Sequence, residues 1–175
     1  QICNSPSQYN KQWSETPDSA KAETLFELLD ECRENGRKVL VFTQYREMGE
    51  LLQGWIAKKT GRKPEFLHGG VSVARRAVMV DDFQNNPDSH ILLVSLKAGG
   101  TGLNLTAASV VIHYDLWWNP AVESQASDRA WRIGQQRDVL VYRFVTEGTF
   151  EERINEMLTE KRRITDLAVS SGENW

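Results

Sequence analysis

Five short apolar runs, separated by stretches with helical signals, constrain the fold more than any other feature of this 175-residue sequence. The runs cover residues 39–42, 65–67, 91–94, 110–114 and 139–144. Strands that are apolar throughout are buried on both faces, and parallel strands need long, usually helical, crossovers between them. The alternation therefore predicts an α/β fold, an open parallel sheet with helices on both faces.

Helical periodicity is clear in two stretches, one before the first apolar run and one after it. Residues 19–34 place apolar side chains on one face and are followed by Asn35-Gly36, a typical helix C-cap. After the first run, the side chains expected to face the core are Met48, Leu51, Leu52, Trp55 and Ile56. The first eighteen residues are polar, contain two prolines and lack periodicity, which predicts an irregular lead-in.

Capping residues mark the remaining helices. Ser72 is a candidate N-cap, and Pro120 suits the first turn of a helix. Thr149 followed by Glu152 has the spacing of a capping box, which predicts a helix over residues 149–167.

Composition and charge exclude several classes of protein. Hydrophobic residues make up 40% and charged residues 26%, the profile of a soluble globular domain, and no apolar run is long enough to cross a bilayer. The net charge is −3, so a nucleic-acid site would be a local basic patch. Two cysteines without a C-x-x-C pair and three histidines without ligand spacing predict no metal site.

Ligands of open α/β sheets bind beyond the carboxyl ends of the strands, which directs attention to the loops after the runs. One of these loops, SLKAGGTGLNL, is rich in glycine. The chain contains neither a G-x-G-x-x-G fingerprint at this loop nor a G-x-x-x-x-G-K-[ST] P-loop anywhere. A tight turn explains the cluster as well as phosphate binding does.

Arg129 and Arg132, in QASDRAWRIGQQR, are three residues apart and would share one face of a helix. Such a pair suits phosphate oxygens, although salt bridges to Glu123 and Asp128 would also explain it. The tryptophans of LWWNP either plug an edge of the core or stack on nucleic acid.

Six ordered segments together resemble one family: VFTQY, LHGG…RR, LLVSLKAGGTGLNL, DLWWNP, QASDRAWRIGQ and GTFEERI. They closely resemble the second RecA-like lobe of the Swi/Snf family, the DNA-stimulated ATPases of helicase superfamily two. The opening QICNSP resembles the linker between that family's lobes. The resemblance covers the whole chain and implies three parts: an interlobe lead-in and first helix (1–34), the RecA-like lobe (35–148) and a brace helix (149–175). Trp131 resembles bacterial and archaeal members.

The resemblance implies the second motor lobe of an ATP-dependent double-stranded DNA translocase. ATP with Mg²⁺ would be held mainly by a first lobe, the N-terminal partner lobe of the same polypeptide. Arg129 and Arg132 match its arginine fingers, Gln125 a coupling residue, and Gly102 and Asn104 nucleotide contacts. The isolated lobe is expected to be monomeric and inactive alone.

The residues that match the DNA side of the family are Thr43, Gln44, His68, Gly69, Arg76, Lys97 and Trp118. The expected location is cytoplasmic and nucleoid-associated in a prokaryote, or nuclear in a eukaryote. Two alternatives stay open at this point: a lobe of a strand-separating DNA or RNA helicase, and a non-catalytic module that binds DNA or protein.

Overall fold

The computed structural model describes residues 3–11, 15–95, 103–117, 119–130 and 138–172. In this part of the chain, one sheet of parallel strands has the order β2-β3-β1-β4-β5. The strands are β1 (Lys38–Thr43), β2 (Glu65–Leu67), β3 (Ile91–Ser95), β4 (Ala108–His113) and β5 (Leu140–Arg143). The helices are α1 (Pro6–Asn10), α2 (Ala20–Glu34), α3 (Arg46–Thr60), α4 (Val73–Asn85), α5 (Pro120–Ser127) and α6 (Phe150–Gly172). The predicted α/β fold with a parallel sheet is confirmed.

The alternating side chains of β1 divide the core into two layers. Val39 and Val41 pack with α2 and α3, including all five inward-facing residues predicted for α3. Leu40 and Phe42 point to the other face and pack with α4 and α5. Helices therefore cover both faces of the sheet, as the uninterrupted apolar runs predict. The sheet places the carboxyl ends of all five strands along one edge.

The predicted N-cap of α4 is present, because the hydroxyl of Ser72 accepts a hydrogen bond from the backbone N–H of Arg75. Helix α2 ends at the predicted C-cap, where Gly36 has a φ of 61°. Its N-cap is Ser19, whose hydroxyl accepts a hydrogen bond from the backbone N–H of Ala22 and which sequence reasoning did not mark. At α6 the capping box is shifted by one residue. The carboxylate of Glu152 accepts a hydrogen bond from the N–H of Gly148, which precedes Thr149. None of the helices in the described ranges is long and apolar enough to cross a membrane.

The lead-in is not wholly irregular, which corrects the prediction for the first eighteen residues. Ser5 caps α1 by accepting a hydrogen bond from Gln8 N–H, Pro6 occupies the first turn, and Lys11 ends the helix in a left-handed conformation with φ of 54°. A helix of five residues is too short to show a period, so its signals were the caps alone. Asn4 and Ser5 are buried against the rest of the protein.

The division of the chain at residues 34 and 148 stays a prediction. Helix α2 packs directly in the core, with Leu25 fully buried. Helix α6 packs more locally, where Ile154 and Leu158 contact Leu116 after β4.

Candidate functional site

The loops that follow β1 and β4 are joined by one buried carboxylate, Asp115. Its oxygens accept hydrogen bonds from the hydroxyl of Thr43 at 2.5 Å and from the backbone N–H of Gln44 at 2.8 Å. The side-chain amide of Gln44 donates to the carbonyl of Leu116. Thr43 is fully buried, and its hydroxyl is used to hold this loop.

Burial raises the pKa of Asp115 to about 6. The hydrogen bonds from Thr43 and Gln44 and the charge of Lys21 act in the opposite direction. Burial therefore disfavours the ionised form of this carboxyl group, although both of its oxygens already accept hydrogen bonds.

Lys21 connects this loop pair to the lead-in and to α6. Its ammonium group, with a side chain only 5% exposed, lies 2.6 Å from the Glu151 carboxylate of α6. It also donates to the Asn4 side chain and to the carbonyl of Tyr114, at 3.3 Å each. Asn4 in turn donates to Asp115. Four segments distant in sequence thus meet at one buried ammonium.

Three side chains from different elements form a cluster at the loop after β2: Arg46 of α3, His68 of the loop itself and Arg76 of α4. The guanidinium of Arg76 donates to the carbonyl of Val71 at 2.9 Å and to that of Gly69 at 3.3 Å, which holds the loop. Burial lowers the pKa of His68, and the charges of Arg46 and Arg76 lower it further. His68 Nδ1 accepts a hydrogen bond from the N–H of Gly70. The imidazole is therefore favoured in its neutral form here.

Arg46 is a member of this cluster that sequence reasoning missed. Its guanidinium comes close to Gly70 and forms an exposed salt bridge of 2.8 Å with Glu50. The available signal was its position two residues after Gln44, in the first turn of the helix that leaves β1.

A second group of predicted site residues lies where α5 ends. The backbone N–H of Leu105 donates to the carbonyl of Arg129 at 3.0 Å, so Asn104 and Arg129 are held near each other. Arg129 is half-buried, and this burial lowers the pKa of its guanidinium. Asn104 and Gln125 are exposed. The structure thereby brings Asn104 and Arg129 near each other, and it places Gln125 on the last turn of α5.

Two contacts fix α5 against its neighbours. His113, fully buried at the end of β4, shares a 2.9 Å hydrogen bond with the hydroxyl of Ser127. Glu123 of α5 forms an ion pair with Arg143 of β5 and is itself buried. Glu123 therefore joins α5 to β5. The alternative that the paired arginines form salt bridges to Glu123 and Asp128 stays a prediction.

Four predicted site residues, Gly102, Lys97, Trp118 and Arg132, lie outside the described residues. The neighbouring Trp117 packs against the core layer of α4 and α5, which matches the core-plug interpretation for that tryptophan. In the described part of the chain, no cluster of histidine, cysteine or acidic side chains could hold a metal ion.

The model of the helicase conserved C-terminal domain matches residues 20–134. The chain belongs to this family of helicase C-terminal domains. A Bacillus subtilis protein named as an ATP-dependent helicase/translocase, YwqA, is 47% identical over the whole chain, and the chain spans 19% of its length. The chromatin-remodeling ATPase INO80 of Schizosaccharomyces pombe is 43% identical over 89% of the chain, which spans 10% of that protein.

Solved structures agree with the helicase C-terminal assignment. The SWI2/SNF2 ATPase core of Sulfolobus solfataricus in complex with double-stranded DNA superposes with a TM-score of 0.80 at 36% identity, covering 99% of this chain and 36% of that one. The C-terminal domain of the Sulfolobus ATPase gives 0.76 at 35% identity over 92% of this chain and 64% of that one. The resemblance to the second RecA-like lobe of the Swi/Snf ATPases is confirmed.

Proposed function

We propose that this lobe is the second motor lobe of an ATP-dependent double-stranded DNA translocase. The hydrogen bond between Leu105 and Arg129 carries the proposal, because it joins the two loops expected to face the nucleotide at one edge of the sheet. The Sulfolobus relative with this fold was solved with double-stranded DNA, and the Bacillus relative is named as ATP-dependent. The chain spans only about a fifth of that relative's length, so the activity belongs to the whole protein.

On the nucleotide side, Arg129 and Arg132 would reach ATP bound on the first lobe when the lobes close. Phosphoryl transfer depends on positioning and charge stabilisation, and an arginine supplied from another lobe raises the rate by about 10³–10⁵. Asn104, with Gly102 before it, would contact the nucleotide, and Gln125 would couple it to closure. Mg²⁺ would be held by the first lobe.

The proposed DNA side lies beyond the carboxyl ends of β1 and β2. It consists of Gln44 and the cluster of Arg46, His68 and Arg76. Guanidinium groups and the exposed backbone at Gly69 suit phosphate oxygens, which carry no sequence information. Because a translocase must accept any sequence, such contacts fit the proposal. Lys97 would add a phosphate contact and Trp118 a stacking contact. Thr43 would act indirectly, by holding the loop of Gln44.

The decisive experiment is steady-state ATPase of the intact parent, with and without duplex DNA, beside an Arg129→Ala/Arg132→Ala variant. We expect DNA stimulation in the parent and its loss in the variant, with nucleotide binding retained. Arg37→Ala is the matched control, because Arg37 is an exposed arginine before the opposite end of β1. An unchanged rate in the double variant would show that the fingers lie elsewhere.

Two further measurements separate the alternatives. The purified 175-residue lobe alone should show no ATP turnover above background, since half of the site is on the first lobe. A parent without any ATPase activity would favour a non-catalytic module, and efficient unwinding of a forked duplex would favour a strand-separating helicase.

A further inference from the structure

Arg143 links three elements through one guanidinium group. It lies on β5, forms the ion pair with Glu123 of α5, and donates a 2.9 Å hydrogen bond from Nη1 to the side-chain oxygen of Asn155 on α6. The side chains of Glu123 and Arg143 are 3% and 20% exposed. Because the guanidinium is planar and its N–H groups point in fixed directions, it fixes both the distances and the orientations of Glu123 and Asn155.

The anchored face of α5 lies opposite the face with the proposed site. Glu123 and Ser127 are one turn apart, and both point toward the sheet, where they meet Arg143 and His113. Gln125 is two residues from Glu123, about 200° around the helix, and is exposed. Arg129 lies in the turn that directly follows the helix, two residues beyond Ser127. A rotation of α5 about its axis would therefore move Gln125 and Arg129 together.

Stability alone does not account for this arrangement. Replacing a buried ion pair by apolar residues of similar volume is often neutral or stabilising, whereas a directed ion pair restricts geometry. Asn155 is uncharged and adds little electrostatic energy to the ion pair of Glu123 and Arg143. Its hydrogen bond to Arg143 instead fixes the position of α6 relative to that pair.

We propose that Arg143 is a positioning residue. By contacting Glu123 and Asn155 simultaneously, it fixes the position of α5, the helix before the proposed arginine finger Arg129, relative to α6. This inference rests on the proposed function, in which Arg129 reaches ATP. The position of α6 would then determine the position of the Arg129 side chain. A displaced α6 would slow ATP hydrolysis without weakening the binding of ATP or DNA.

The test uses the intact two-lobed parent with Asn155→Ala, which removes the α6 contact and leaves the ion pair in place. We expect DNA-stimulated kcat to fall by about threefold to tenfold, with the KM for ATP and the Kd for duplex DNA within about twofold of the parent values. Asn155→Asp keeps an acceptor for Arg143 and should restore kcat. Glu156→Ala, at the next, exposed position of α6, is the matched control and should not change kcat.

A purely structural role would give a different result: a lower Tm with unchanged kcat, or parallel losses in kcat and in both binding constants. Either outcome would overturn the proposal. Arg143→Lys serves as a second variant, because it keeps the charge but cannot reach both partners. It should lower kcat as Asn155→Ala does.

Combining Asn155→Ala with Arg129→Lys separates this inference from the proposed function. If Asn155 acts through the finger, the double variant should be no slower than Arg129→Lys alone. If the kcat losses of the two substitutions multiply in the double variant, the positioning role is refuted, while the assignment of Arg129 as the arginine finger is unaffected. If Arg129→Lys and Arg129→Ala both retain full activity, the finger assignment fails and the positioning role fails with it.

Discussion

Lys21 shows how a single residue can join the separate parts of this lobe. It is an unusual lysine, since only 5% of its side chain is exposed and its charge is compensated chiefly by Glu151. Removing one member of a buried pair leaves the other charge without compensation, which costs more than the pair itself contributes. The carboxylate left behind in this case is 13% exposed.

We predict that Lys21→Met lowers the free energy of unfolding of the lobe by about 3–5 kcal/mol. The matched control is Lys58→Met, because Lys58 pairs with Glu15 at side-chain exposures of 61% and 83%. That exposed pair should contribute less than about 1 kcal/mol. Urea denaturation of both variants measures the difference, and equal losses would contradict this account of Lys21.

The buried carboxyl of Asp115 predicts a particular dependence of stability on pH. Its pKa of about 6 in the folded protein lies above the ordinary value near 4, so between these values the folded chain binds more protons than the unfolded chain. The contribution of this group to stability is therefore fully present below about pH 4 and is lost as the pH rises through about 6.

Asp115→Asn should remove this dependence. We predict that the stability of the wild-type lobe relative to the variant falls by about 2–3 kcal/mol between pH 4 and pH 7. Urea denaturation of both proteins across that pH range gives the difference, in which the titration of the other groups cancels. A constant difference would mean that the pKa of Asp115 is not raised.

At the scale of elements, the predictable features are those that repeat or that are local. The strands and the inward face of α3 follow from the pattern of apolar residues. The N-cap at Ser72 and the C-cap at Asn35-Gly36 follow from capping chemistry. Helix α1 is too short to have a period. Contacts between elements do not follow from local sequence. Nothing near Gly49 in the sequence indicates that Phe66 of β2 lies against it.

We predict that Gly49→Ala destabilises the lobe although alanine favours helices. A methyl group at this position would overlap the ring of Phe66, which is buried in the core. Overpacking typically costs about 1–3 kcal/mol and the gain in helix propensity is about 1 kcal/mol, so a net loss of up to about 2 kcal/mol is expected.

Phe66→Leu provides the background that tests this explanation. With the ring removed, Gly49→Ala should become neutral or stabilising, as thermal unfolding of the four proteins would show. The same loss in both backgrounds would mean that the ring is not the cause.

At the scale of the whole molecule, the predicted site divides into two groups along one edge of the sheet. The nucleotide group, with Asn104 and Arg129, is held by α5, and the DNA group, with Gln44 and His68, follows β1 and β2. The sequence motifs marked these four residues as candidates. They did not mark Arg46, whose helix lies beside Gly70 only once the sheet is assembled.

We predict that Arg46→Gln weakens duplex binding by the intact parent and reduces the slope of log affinity against log salt by about 1, the value for one lost phosphate contact. The exposed salt bridge between Arg46 and Glu50 is weak enough to be exchanged for phosphate. Fluorescence anisotropy over a salt series provides the measurement. Arg37→Gln, at the opposite edge, should leave the slope unchanged.

The buried attachment of Asn4 has a mechanical consequence. Asn4 contacts both Lys21 and Asp115, and the same carboxylate holds the backbone of Gln44. A pull on the chain before Asn4 would therefore be borne first at the edge with the DNA group, and only then by the sheet. If the proposed translocase moves its two lobes against each other, a force on the lead-in would therefore reach the residues proposed to contact DNA through Asn4 and Asp115.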